Sequence, residues 1–301
     1  MVDGPLFQRL TECTRFDLSS IDWSSARTEE VANVLWGYAG LSRRPKAAVA
    51  KALWEGMEGK VMELKSEEVS MLLWACGSLG VEPPDQVMAL VEERAKLLFE
   101  EGRAGVGEAA NTLYGFAMMG KQPGVALLES AERRLMQIAE EEGGIEGEDA
   151  RQVMLFAISG ELGGWEGSEI YGKIQDMIDC RGDDDVEVEG KDGEEGKAKE
   201  KRVGKERDGT GFQNDVSNIV RRLGVSHTTQ VTDERSGYKI DILLDEVASG
   251  RGKRVAVEAD GPWCFTTGPA GAHKLNGQAL LKKRVLKGMG YKVIETLNPQ
   301  L

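Results

Sequence analysis

Thr28-Glu29-Glu30-Val31-Ala32-Asn33-Val34-Leu35-Trp36-Gly37-Tyr38-Ala39-Gly40-Leu41 is a phrase that this chain repeats. It returns as Ser66-Glu67-Glu68-Val69-Ser70-Met71-Leu72-Leu73-Trp74-Ala75-Cys76-Gly77-Ser78-Leu79 and as Gly107-Glu108-Ala109-Ala110-Asn111-Thr112-Leu113-Tyr114-Gly115-Phe116-Ala117-Met118-Met119. A fainter copy runs from Asp149 to Ile158. The aromatic anchors Trp36, Trp74, Tyr114 and Phe156 stand 38, 40 and 42 residues apart, and Pro45, Pro83 and Pro123 keep step at 38 and 40. A shared period of this length is the mark of a repeat architecture.

Each unit reads as two helices. Thr28 and Ser66 are suitable N-caps, followed by Glu in the first turn, where the helix dipole favours acid. Val31, Leu35, Tyr38 and Leu41, then Val69, Leu73 and Cys76, fall at helical spacing. A turn with Gly and Pro follows, and Pro suits the first turn of a second helix. The second helices are expected over 47–64, 86–101 and 126–142. One helix pair cannot bury its own apolar face, so neighbouring pairs must stack into a solenoid. The aromatic anchors are then core, and residues 1–27, with Phe7, Leu10, Phe16, Ile21 and Trp23, cap the first repeat or are the remainder of an earlier one.

The chain of 301 residues carries a net charge of −13, unevenly spread. Residues 1–180 hold 17 basic against 31 acidic side chains, and residues 211–301 hold 13 against 9. The C-terminal part is thus the only basic one, a weak pointer to a polyanion. On the repeats the cations Arg43, Arg44, Lys46, Arg94, Arg103, Lys121, Arg133 and Arg134 are scattered and read first as solvated surface. Cys13, Cys76, Cys180 and Cys264 are each more than sixty residues apart, which suits neither zinc nor a disulfide framework. The longest uncharged apolar stretch, Val69 to Val81, is shorter than the ~20 residues of a membrane span. Residues Met1 to Pro5 show no signal-peptide or transit character.

Residues 181–210 are almost wholly Asp, Glu, Lys, Arg and Gly, with Val186, Val188, Ala198 and Val203 as the apolar exceptions. Such a segment buries too little to offset its ordering entropy and is expected to be a disordered tether, letting its flanks move independently. Beyond it, the expected order is a helix over 212–223, an edge strand over 228–232, strands over 239–244 and 255–260, a helix over 277–287 and a last strand over 291–294, a small α/β domain. His227 and His273 fall in loops. No Ser/His/Asp, Cys/His or phosphate-loop arrangement is present.

Val255-Ala256-Val257-Glu258-Ala259-Asp260-Gly261-Pro262 is the stretch with chemistry. An apolar strand rarely carries carboxylates unless they are paired or used. Glu258 and Asp260 are two apart and so share one face, with Asp241 on the neighbouring strand. Asp241, then Glu258 and Asp260, then a helix carrying Lys282, follow the order of a restriction-endonuclease-like core. There, carboxylates hold Mg²⁺ and a lysine helps activate water. In that pattern the Lys stands two residues after the acid, where this chain has Asp260, so a helix lysine must substitute. Three readings stay open: fold-maintaining ion pairs, a degenerate pocket that still binds RNA or phosphate, and a metal-dependent ribonuclease using Asp241, Glu258 and Asp260, with Asp241 and Glu258 as metal ligands.

The repeat phrase from Glu30 to Ala39, its period and the following Pro resemble octotricopeptide repeats of organellar RNA-binding proteins, over about 28–165. Tyr238 to Leu243, Val255 to Pro262, Phe265, Leu275 to Leu286 and Gly290 to Ile294 resemble the RAP domain. That family is also RNA-binding and often follows helical repeats. Two departures stand out: Trp263-Cys264 occupies the place of a usual Ser/Thr-His pair, and the aromatic close of the family is missing, so the last strand is expected to be frayed or truncated. The resemblance implies a multidomain α and α/β chain: an α-solenoid over 1–180, a charged linker over 181–210, and a small restriction-endonuclease-like α/β domain over 211–301. It implies single-stranded RNA as partner, with other RNA-processing proteins, no membrane, a mitochondrial or chloroplast setting, and no cofactor unless cleavage calls for Mg²⁺. Lys274, Lys282, Lys283 and Arg284 are the expected RNA contacts. A protein-binding scaffold is the alternative that the acidic solenoid favours.

Overall fold

The computed structural model describes Leu18 and residues 21–179, 210–245 and 254–297. Residues 1–17 and, of the tether expected over 181–210, residues 181–209 lie outside the described residues, while Thr210 begins a helix. Eight helices form four pairs: α1 (Thr28–Gly40) with α2 (Ala47–Met57), α3 (Ser66–Leu79) with α4 (Asp85–Glu100), α5 (Val106–Met119) with α6 (Val125–Glu142), and α7 (Gly147–Gly163) with α8 (Ser168–Asp179). First helices stack on first helices along the array, and the second helices α4, α6 and α8 stack in turn, over one continuous core. The repeat phrase is what allows the close stacking. A Cβ at Gly115 would come 2.7 Å from the carbonyl oxygen of Leu73, and one at Gly77 would come 2.7 Å from that of Gly115. Backbones of α3 and α5 therefore touch, which only glycine permits.

Several expected details change. The first helices are capped by their third residue, not by Thr28 or Ser66. The amide of Arg27 donates to Glu30 at 2.9 Å, and that of Lys65 donates to Glu68 at 3.2 Å. The two hydroxyls instead tie each repeat to the next: Thr28 donates to Glu68 at 2.8 Å and Ser66 to the carbonyl of Arg103 at 3.0 Å. The prolines sit just before the N-caps Lys46, Pro84 and Gly124, outside the second helices. The helix expected over 47–64 stops at Met57, where Gly59 has a positive φ of 81°, and a short 3₁₀ turn follows at Val61–Glu63. Of the aromatic anchors, Phe156 and Tyr114 are core, Trp74 is half-buried and Trp36 is 37 % exposed. Trp23 is buried against Gly56 and caps the first repeat as expected.

The scattered cations have a pattern after all. Arg94 and Arg134, equivalent positions of α4 and α6, each donate through Nε at 2.7 Å to the carbonyls of Leu64 and Ala104, which precede α3 and α5. Each arginine thus fixes the entry into its own repeat. Lys121 pairs with Glu82 at 2.7 Å.

The C-terminal domain comprises α9 (Thr210–Arg222), β1 (His227–Thr232), β2 (Lys239–Leu244), β3 (Val255–Asp260), β4 (Phe265–Thr267), β5 (His273–Leu275), α10 (Gly277–Gly288) and β6 (Lys292–Leu297). The main sheet has the order β1-β2-β3-β6, with β3 and β6 parallel across α10 and the other pairs antiparallel. The edge position of β1 agrees with its sequence. His227 and His273 begin strands and do not lie in loops, and the β4–β5 hairpin fills the interval between the strand expected over 255–260 and the helix expected over 277–287. Strand β6 is not truncated: it pairs with β3 as far as Leu297 opposite Asp260.

The two halves of the chain pack against each other, where the sequence led to the expectation of independent flanks. Helix α10 lies on the first-helix layer and contacts α3, α5 and α7. Leu281 and Val285 belong to the solenoid core, while Leu286 packs on the sheet against Ala256 and Ile240. A Cβ added to Gly277 would overlap the carbonyl oxygen of Gly77, and one on Gly288 would come 3.0 Å from Leu162. Arg284 donates to the carbonyls of Ala117 and Met118 at the C-terminus of α5, where the dipole favours a cation. Arg235 pairs with Glu161, Arg151 lies 5.6 Å from the centre of the Tyr238 ring, and the Arg44 amide donates to Thr267 at 2.8 Å. The boundary is a shared core.

Candidate functional site

The carboxylates come together as their spacing predicts. Residues 258 and 260 share a face with Ala256, the face that α10 covers. The β2–β3 register pairs Ile242 with Val257, and one step further sets Asp241 opposite Glu258. Asp241 accepts the Ala259 amide at 2.8 Å and the Gln230 side-chain amide at 3.4 Å.

Helix α10 supplies the lysines. Its N-cap is Asn276, whose Oδ1 accepts from Ala279 at 2.9 Å while its Nδ2 donates to the carbonyl of Trp263 at 2.8 Å. One residue thus sets both the helix start and the loop after β3. Lys282 donates to Glu258, and Lys283 pairs with Asp260 at 2.7 Å and with Glu295 at 3.3 Å. The lysine at Glu258 thus comes from α10 and not from the position two residues after the acid, which Asp260 holds. Lys282, Lys283 and Arg284, expected as RNA contacts, are engaged within the protein. Lys283 has a side chain only 5 % exposed, and Arg284 holds the end of α5. Lys274 on β5 and Arg284 are both exposed, but the Arg284 guanidinium is taken by the carbonyls of α5, whereas Lys274 has no ion pair among the described residues.

Glu258 is the unusual member. It is buried, its Oε2 takes the Lys282 ammonium, and its Oε1 has no hydrogen-bond partner. Burial pushes its carboxyl above the ordinary value of 4.5 against the pull of Lys282, and the neighbouring Asp241 and Asp260 add to the rise. The Cys264 thiol is likewise pushed up to about 11 by burial, so it is not a thiolate nucleophile near neutral pH.

These side chains line a cleft of about 270 Å³ with Gln213 on one side and Trp263 at another. Trp263 is 53 % exposed, and its indole rests on Gly261, where any Cβ would overlap it. Sequence reading treated this tryptophan only as a departure from a family pattern. The signal for its exposure is local: Gly261-Pro262 ends β3 and starts a short 3₁₀ turn, so the next side chain is presented beyond the end of the strand. Among the described residues no group of three or more His, Cys, Asp and Glu side chains converges as a metal would need. No described helix is long and apolar enough to cross a membrane. No family model matches the chain, and no curated protein matches it.

Proposed function

We propose that the chain is an RNA-binding protein in which a RAP-type α/β module with a restriction-endonuclease-like core uses the cleft beside β3 to hold an unstacked base of single-stranded RNA. One observation carries this: an exposed indole stands at the mouth of a cleft whose floor holds a buried carboxylate oxygen without a partner. Single-stranded nucleic acids bind on aromatic platforms, and an unstacked base offers ring and exocyclic N–H donors on its edge. Trp263 takes the base face, Glu258 Oε1 accepts from the base edge, and Lys274 meets the backbone. The carboxylates favour a base over a phosphate in the cleft itself. The resemblance to the RAP and octotricopeptide families extends this to organellar transcripts, in their stability, processing or translation, alongside other RNA-processing proteins.

The test is binding of a labelled single-stranded RNA to the full chain over a salt series. Affinity should fall as salt rises, and Trp263→Ala should weaken it ~5- to 150-fold, the range of ~1–3 kcal/mol per stacked base. Equal affinity of Trp263→Ala and the parent chain sinks the proposal.

A second reading rests on Lys282 at Glu258. In it, Asp241 and Glu258 hold Mg²⁺ and Lys282 stabilises charge as RNA is cleaved. Its mark is cleavage that needs Mg²⁺ or Mn²⁺ and disappears in Glu258→Ala. Binding without cleavage leaves the first reading alone.

A further inference from the structure

Away from the carboxylates, a cavity of about 810 Å³ lies between the second helices of repeats one and two, with Pro269 of the α/β domain at its edge. The chain's own repeats show how this junction differs from the next. At the junction of repeats two and three, Glu92 of α4 accepts the amide of Gly124, the N-cap of α6, at 3.0 Å, which closes the gap. The equivalent of Glu92 one repeat earlier is Trp54, and the equivalent of Gly124 is Pro84. Both halves of the capping pair are exchanged together: an acceptor for an indole, and a donor for a residue with no N–H. Trp54 and Pro84 line the open cavity, with Pro45 and Pro83 beside them.

We propose that this cavity is a docking site for a proline-containing peptide with basic flanks, carried by a partner protein. The walls of Trp54 and three prolines suit a polyproline-type segment, which docks in aromatic-lined grooves. Arg44, also on the wall, has a buried Nε with no partner, a donor suited to a peptide carbonyl. At the rim, Glu58 is exposed and has no ion pair among the described residues, whereas Lys51 is already paired with Glu55 at 3.5 Å. With the acidic balance of residues 1–180, this attracts a basic segment and repels RNA. The site is separate from the RNA reading and stands without it.

The test is selection of a displayed random peptide library on the full chain, counter-selected on the double variant Trp54→Glu with Pro84→Gly, which copies the neighbouring junction. Peptides joining proline to Lys or Arg should be enriched and should bind the double variant at least tenfold more weakly. Glu58→Arg, at an exposed position, should weaken the same peptides at least threefold and guards against misfolding of the double variant. No enrichment over the counter-selection, enrichment of acidic peptides, or equal affinity for Glu58→Arg overturns the proposal. So does displacement of the selected peptide by single-stranded RNA, which would make this a nucleic-acid site.

Discussion

Lys283 and Asp260 pair at 2.7 Å with each side chain only 5 % exposed. Taking two charges out of water is costly, and the pair recovers that cost only while both members stay. Lys283→Met should therefore destabilise the chain by ~3–5 kcal/mol in denaturant unfolding. Adding Asp260→Leu to it should restore most of that loss. If the double variant is as unstable as the single one, the residues act separately.

Docking of α10 depends on missing side chains. Gly277→Ala must displace the backbone of Gly77 and should cost ~1–3 kcal/mol, the usual penalty for overpacking. Gly172 on α8 has open space around its Cβ position, so Gly172→Ala should stabilise by up to ~1 kcal/mol. Thermal melts of the two variants should move in opposite directions.

Glu258 predicts a pH effect of unusual sign. Its folded-state carboxyl is raised above the ordinary value of 4.5, so the native state binds the proton more readily than the unfolded chain. Its contribution is then fully present below 4.5 and is lost as pH rises from there through the raised folded-state value. Most paired carboxylates behave the other way. Subtracting the stability curve of Glu258→Gln from that of the parent should leave a difference that falls with rising pH there. A difference that rises would show the Lys282 attraction outweighing burial.

Arg94 and Arg134 do the same task one repeat apart. Replacing either by Met should cost ~1.5–3 kcal/mol, the range for hydrogen bonds from charged donors, and the two losses should add. Arg133, next in sequence but 62 % exposed, should tolerate Met within ~0.5 kcal/mol. Urea midpoints of the three variants distinguish the roles.

The repeat was legible because stacking imposes the same demand at each step, and the demand shows as Trp36, Trp74, Pro45 and Pro83 at matched spacing. The carboxylate pair was legible because strand parity alone sets Glu258 and Asp260 on one face. The role of α10 was not. Lys282, Lys283 and Arg284 spell an ordinary solvated basic flank, and only β3, β6 and the end of α5, all distant in sequence, supply the partners that engage its three charges. The capping of α1 by Glu30 was missed because Thr28 satisfies the same local rule, and its hydroxyl is engaged instead by Glu68 in the next repeat. Trp54 in place of a capping glutamate could be read only after Glu92 was seen on Gly124.

The contact between Gly277 and Gly77 bears on how such a chain could be assembled from parts. A module that carried its own finished surface could be transferred to another protein by recombination with little adjustment. This α/β domain lacks such a surface, since α10 keeps one side for Leu286 and the sheet and gives the other to the repeats. Its transfer to another solenoid would require a host whose helix backbone can be approached as closely as that of Gly77 and whose carbonyls are free where Arg284 reaches. The two halves share a helix that neither can give up.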